Sequence, residues 1–154
     1  MENGVEPEFA RAQEGDLADL LAMVRAFYAI DAYPFDEAIA HSAASGLIAD
    51  PALGAIWLMR TGGQLAGYVV LTLGYSLEFH GRDAFVDELF VLPAFRNQGV
   101  GTRALRFIEE QCRSLGVQAL HLEVERGNTT AQRLYRGLGF RDHDRYLMSK
   151  WIAE

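Results

Sequence analysis

The chain is predicted to fold as one α/β domain, residues 1–154, on a mixed sheet. Three observations predict it. The first half holds strand-like runs joined by short turns, which form an antiparallel meander. The second half alternates strand, helix and strand, a β-α-β-α-β order. Half of the 154 residues are hydrophobic, enough for a substantial core.

Residues 5–11 read as a first short strand. Asp16 looks like an N-cap, and Leu17, Leu20, Leu21, Val24 and Phe27 follow at helical spacing. That helix ends near Asp31, before Pro34, and a second runs from Phe35 or Asp36 to about Ile48. Pro51 and Gly54 mark a turn. Strand runs at 55–60 and 65–73 flank Thr61-Gly62-Gly63-Gln64, a hairpin signal, and the second run can continue to Phe79. His80-Gly81-Arg82-Asp83 is another turn. Residues 84–92 then form a mostly apolar strand with two acids, Asp87 and Glu88, in its middle.

Residues 99–115 read as a helix with Val100, Ala104, Leu105, Ile108, Cys112 and Leu115 on one side, and Gly116 as its C-cap. Residues 117–125 are a strand. Asn128 caps a short helix through Leu138, and Gly139 ends it. Residues 140–152 supply one or two final strands.

Charge narrows the partners. The chain has 14 basic and 21 acidic residues, a net charge of −7, which argues against nucleic acid and suits a cationic partner. Cys112 is the single cysteine, so no internal disulfide can form, and a reducing cytoplasm is the simple expectation. No apolar run reaches the roughly 18 residues of a membrane helix. Residues 1–8 are polar and acidic, unlike a secretory signal. His41, His80, His121 and His143 are scattered without metal spacing, so no metal is expected.

The segment "LPAFRNQGVGTRAL", residues 92–105, fits two phosphate-binding patterns. From Gly99 it reads G-x-G-x-x-A, a dinucleotide fingerprint, with Glu123 as the later acid. In that fold, however, the first glycine turns directly off the strand. Here Pro93 to Gln98 intervene, and a meander precedes. A Walker loop lacks its Gly-Lys-Ser/Thr. From Arg96 the segment reads R-x-x-G-x-G, a loop carried into a helix N-terminus. The amides of residues 97–102 then face an anion, and Gly99 and Gly101 let it approach the backbone. A capped helix with ordinary glycines and a surface arginine is the plain alternative.

At these residues the chain resembles the GNAT acyltransferases, which use acetyl-coenzyme A. "VDELFVLPAFRNQGVG" is similar to the family's acyl-CoA motif, "GNTTAQRLYRGLGF" to its second motif, and "RYLMSK" to its final strand. The resemblance implies a sheet that splays beside the strand ending at Val91. The pantetheine arm would pair with Leu89, Phe90 and Val91. The pyrophosphate would lie on Gln98, Gly99, Val100, Gly101 and Thr102, flanked by Arg96 and Asn97. Asn128 matches an asparagine that contacts the cofactor arm.

Acetyl transfer needs a neutral amine, a donor for the oxyanion and a proton for the leaving thiolate. Tyr135 is the candidate for the last. It lies seven residues after Asn128, about two helical turns, so both can share a face. A phenol can give its proton as the C–S bond breaks. A core tyrosine beside Leu134 and Leu138 is the alternative. Asp87 and Glu88 are candidate bases. As adjacent strand residues they point to opposite faces and cannot share one role directly, and at least one of two acids in an apolar strand should meet a wet cleft. A backbone amide near Phe90 suits the oxyanion. Cys112 sits on an apolar stripe and reads as core, so transfer should be direct, in a ternary complex.

The acceptor side should come from "FYAIDAYPFD", with Tyr28, Asp31 and Tyr33, and "GYSLEFHGRD", with Tyr75 and Glu78. Aromatics with acids suit a primary amine. A small amine such as a polyamine, diamine or amino compound is expected. A protein N-terminus or lysine, an aminoglycoside, or a non-catalytic acyl-CoA-binding module are the alternatives. The apolar "YLMSKWI" would suit a homodimer or an internal strand.

Overall fold

The meander forms where the turn signals place it. β1 (Glu8–Arg11) pairs antiparallel with β2 (Gly54–Thr61), β2 with β3 (Gln64–Ser76), and β3 with β4 (Gly81–Val91). β5 (Ala119–Leu122) returns parallel to β4, giving the order β1-β2-β3-β4-β5. These coordinates are a computed structural model, which describes residues 4–153. The chain divides into one compact unit ending at Glu123 and a second beginning at Val124. Among the described residues no helix is long and apolar enough to cross a membrane.

Helices cover both faces of the sheet in the first unit. On one face, Leu20, Met23 and Val24 of α1 (Leu17–Ile30) pack with Ile56, Leu58, Tyr68, Val70 and Phe90, and Leu47 and Ile48 of α2 (Glu37–Ala49) join them. On the other face, Val100 and Ala104 of α3 (Val100–Ser114) pack with Met59 and Ala66. Phe107 stacks on Phe9 at 4.3 Å and meets Trp57 edge-on at 5.4 Å. Alternate residues of β2 and β3 thus enter different cores. This is why Ala66 to Leu71 run as consecutive apolar or small residues instead of alternating with polar ones.

Caps fix the helix ends. Asp36 accepts from the Ile39 amide at 3.0 Å and starts α2. Asp16 precedes α1, but its carboxylate turns back to accept from the Gln13 amide at 2.8 Å, closing a 3-10 turn over Glu14–Asp16. Gly116, at φ +71°, ends α3, and the Val117 amide reaches back to the Cys112 carbonyl at 2.9 Å.

The second unit is built around α4 (Thr129–Gly137). Asn128 Oδ1 accepts from the Ala131 amide at 3.1 Å. Gly139, at φ +95°, turns the chain, and Phe140 donates to the Tyr135 carbonyl at 3.1 Å. Arg136 then holds both carboxylate oxygens of Asp142, at 2.9 and 2.6 Å.

Several elements are shorter than the sequence suggests. β1 starts at Glu8, where Arg60 of β2 becomes its partner, and β3 stops at Ser76, opposite Gly81. The expected final strands at 140–152 are the clear correction: no strand forms between residues 140 and 153. Apolar alternation supplies β propensity, but a strand is a property of a pair, and this segment has no ladder. Tyr146, Leu147, Met148, Trp151 and Ile152 are exposed, Trp151 by 94%.

Candidate active site

The middle of β4 is where regular pairing fails on both sides. Toward β3, Val70 pairs with Glu88 and Leu71 with Val86, so Asp87 is an extra residue, a β-bulge. The alternation expected to send Asp87 and Glu88 to opposite faces is interrupted there. Toward β5, pairing covers Asp83 to Val86 only. From Asp87 to Val91 that edge of β4 has no β5 partner.

Glu88 is held by two phenols. Tyr28, near the end of α1, donates to Oε2 at 2.5 Å. Tyr68, fully buried on β3, donates to Oε1 at 2.7 Å. Burial pushes the Glu88 carboxyl above its ordinary range; the two phenol hydrogen bonds pull it down and Asp87 pushes it up, the net direction being upward. Burial, with the Glu88 carboxylate, pushes both phenols up. Asp87 is exposed as a residue, yet its carboxyl is desolvated enough to be raised as well.

β4 leads into a helix end rich in amide donors. Leu92 donates to the Ala66 carbonyl at 2.7 Å, a 3-10 turn covers Pro93–Phe95, and α3 begins at Val100. Asn97 and Gly99 take the left-handed conformation, φ +61° and +78°. No side chain caps α3, its first turn carries no acid, and a Cβ added at Gly101 would meet nothing within 4 Å. Arg96 Nε donates to the Val91 carbonyl at 2.9 Å, tying the loop to the strand. Arg103 donates to the Gln98 carbonyl at 3.2 Å and pairs with Glu6 at 3.3 Å.

Residues 20–140 match the acetyltransferase (GNAT) family. The chain belongs to that family. A mouse thialysine N-epsilon-acetyltransferase is 26% identical over 141 residues, covering 85% of this chain and 82% of its own. The integron cassette protein HFX_CASS3, from the mobile metagenome of Cole Harbour Salt Marsh, superposes with a TM-score of 0.84 at 34% identity, over 95% of this chain and 91% of that one. A predicted acetyltransferase with acetyl-CoA from Clostridium acetobutylicum shares the fold, with a TM-score of 0.79 at 14% identity, over 94% and 96%. The chain is an acyltransferase of the GNAT fold.

Within this GNAT chain the structure brings some expected residues together and separates others. Tyr28 meets Glu88, and the Tyr33 and Phe35 rings stand 6.4 and 6.2 Å from the Tyr28 ring. Asp31 follows α1 directly. Tyr75 and Glu78 belong to the other end of the β3–β4 hairpin. Tyr75 pairs with Arg82, five residues beyond Val70, or about 17 Å along the strand. In the second unit, the Asn128 oxygen is committed to capping α4. Tyr135 packs its ring 6.1 Å from Phe140, and burial raises its phenol. Cys112 lies in the α3 core, its thiol pushed up to about 11 by burial. His121 has a structural partner, Asp83, at 3.1 Å, between the rings of Phe79 and Phe85.

Tyr68 is the residue that sequence reasoning missed. In "LAGYVVL" it reads as one more core side chain. The available signal was physical: a phenol in one buried strand and a carboxylate in the next each need a partner, and strand neighbours can supply it.

Proposed function

We propose that the chain moves an acetyl group from acetyl-CoA to a primary amine of a small molecule, by direct attack in a ternary complex. The observation that carries this reading is the Glu88 carboxylate, anchored at the bulge of β4, on the strand that runs into the uncapped end of α3.

The residues present fit acetyl-CoA. The β4 edge at Leu89, Phe90 and Val91 lacks a β5 partner. The amides of Gln98 to Thr102 form an acid-free helix end, where an anion gains from unpaired donors and the helix dipole. Arg96 and Asn97 flank that end, and Asn128 of the second unit matches the family asparagine that contacts the cofactor arm. When bound, acetyl-CoA supplies the activated acyl group. Glu88 accepts the proton of the attacking amine, directly or through water, with Asp87 beside it as the second candidate base. Tyr135 gives its phenol proton to the departing thiolate. Its raised pKa keeps it protonated until then.

The net charge of −7 and the Tyr28, Asp31 and Tyr33 group favour a cationic acceptor. The similarity to a thialysine N-epsilon-acetyltransferase supports a side-chain or terminal amine of a small molecule. The exposed apolar segment from Tyr146 to Ile152 supports a homodimer, because an exposed apolar patch of this kind marks an interface.

Coenzyme A release against a panel of polyamines, diamines, lysine-like amino acids, aminoglycosides and peptide N-termini tests the reading. Small primary amines should accelerate release most. If acetyl-CoA binds but no amine accelerates turnover, the reading fails. Light scattering across concentration tests the dimer, and a monomer throughout removes it.

A further inference from the structure

Glu88 is held more tightly than a base needs to be. A carboxylate that only collected protons could rotate and be solvated. Here each oxygen is assigned to a different phenol, one from α1 and one from β3, 60 and 20 residues away in sequence. Two donors on two oxygens fix both the carboxylate plane and its tilt. Each oxygen keeps one further lone-pair position for a third group. The two anchors differ in depth: Tyr68 is fully buried, whereas Tyr28 is half-buried, next to the Tyr33 ring. The carboxylate therefore opens toward the Tyr28 side.

We infer that Tyr28 and Tyr68 are positioning residues that lock the Glu88 carboxylate, so that its open lone pairs meet the acceptor amine from the Tyr28 side. The inference rests on the amine acetyltransferase reading and deepens it. Neither phenol handles the reacting atoms. Their work is to keep the anion in one orientation and to stabilise it against burial. A buried carboxylate with no donors would take up a proton and stop serving as a base. Among the described residues, the titratable groups acting on Glu88 are Tyr28 on α1, Tyr68 on β3 and Asp87 beside it on β4.

A purely structural role is the competing account, with Glu88 present only to satisfy two buried phenols. The two accounts differ in what a phenol deletion does to Glu88 itself. Tyr28→Phe and Tyr68→Phe each remove one donor to the anion and keep the ring packing. The test follows the Glu88 side-chain carboxyl carbon by NMR titration of the full chain, with Glu88→Gln assigning the signal. Each phenylalanine variant should raise the Glu88 midpoint by about one pH unit, a tenfold change in proton affinity. With the best amine of the panel, kcat should fall about tenfold or more while acetyl-CoA affinity stays within about twofold. An unmoved midpoint with wild-type kcat, even with a lower unfolding temperature, would overturn the inference. Tyr28 is only half-buried, so Tyr28→Phe keeps the test decisive if Tyr68→Phe does not fold. A wild-type chain that acetylates no amine would instead sink the acetyltransferase reading, while the titration by itself still decides whether the phenols hold the anion.

Discussion

The Glu88 site and the α3 helix end lie on one continuous stretch of chain, yet they are built in opposite ways. The helix end is local. Its donors belong to consecutive residues, its shape comes from left-handed Asn97 and Gly99, and its strut is Arg96 on Val91, five residues away. The Glu88 site is assembled from a distance, by phenols on α1 and β3 and by a register shift between two strands. The difference teaches where each is fragile. Local geometry survives most changes elsewhere and is lost by one substitution in the loop. An assembled site can be damaged from any of its walls.

The largest effect should come from removing Glu88, the proposed base of the assembled site. Glu88→Gln should lower kcat/KM for the best amine by about 100-fold or more, with acetyl-CoA affinity unchanged. Calorimetric titration alongside steady-state kinetics checks both halves, and near-normal turnover would shift the role to Asp87 or to water. The same variant carries a stability signature. Burial raises the folded pKa of Glu88 above its ordinary value of 4.5, so the native state holds this proton more tightly than the unfolded chain. Stability from this group is present at low pH and is lost as pH rises through the folded pKa. The unfolding temperature of Glu88→Gln should therefore gain on wild type as pH rises above 4.5, and the gain should level off once Glu88 is ionised.

Tyr135→Phe should come next, with turnover down about tenfold or more and acetyl-CoA binding nearly intact. Turnover at the wild-type level would remove Tyr135 from the chemistry.

Gly101→Ala sharpens the contrast from the local side. The added Cβ meets no neighbour in the protein, and alanine is the better helix former by roughly 1 kcal/mol. Stability should hold or rise, while acetyl-CoA affinity falls about tenfold, because the proposed reading lays the pyrophosphate against the backbone of this turn. Unchanged affinity would mean that the phosphates do not lie on this turn.

The smallest effect should belong to Cys112. Its thiol is buried and pushed up to about 11, so little thiolate exists at pH 8. Cys112→Ala should keep turnover within about twofold and cost only some core stability. Rapid-quench mass spectrometry should find no acetylated protein competent for transfer. Trapping one would replace direct transfer with a two-step mechanism.

Legibility followed the same division. The helix stripe from Val100 to Cys112, the hairpin turn at Gly62-Gly63 and the R-x-x-G-x-G loop were readable because each is encoded by neighbouring residues. The strand expected over 140–152 failed because pairing needs a ladder, which residue type cannot guarantee. The resemblance puts Tyr75 and Glu78 on the same acceptor side as Tyr28, but strand geometry carries them to the other end of the hairpin.

By itself the sequence determined the order of strands and helices as far as α4, the glycine loop and the family, because backbone preference and side-chain period act over a few residues. Only the tertiary structure decided that Asp87 bulges out of register, that β5 leaves the end of β4 open, and that Tyr28 and Tyr68 both face Glu88. Those outcomes depend on which strands pair, and in what register. Pairing is settled by burying two cores at once, one on each face of the sheet.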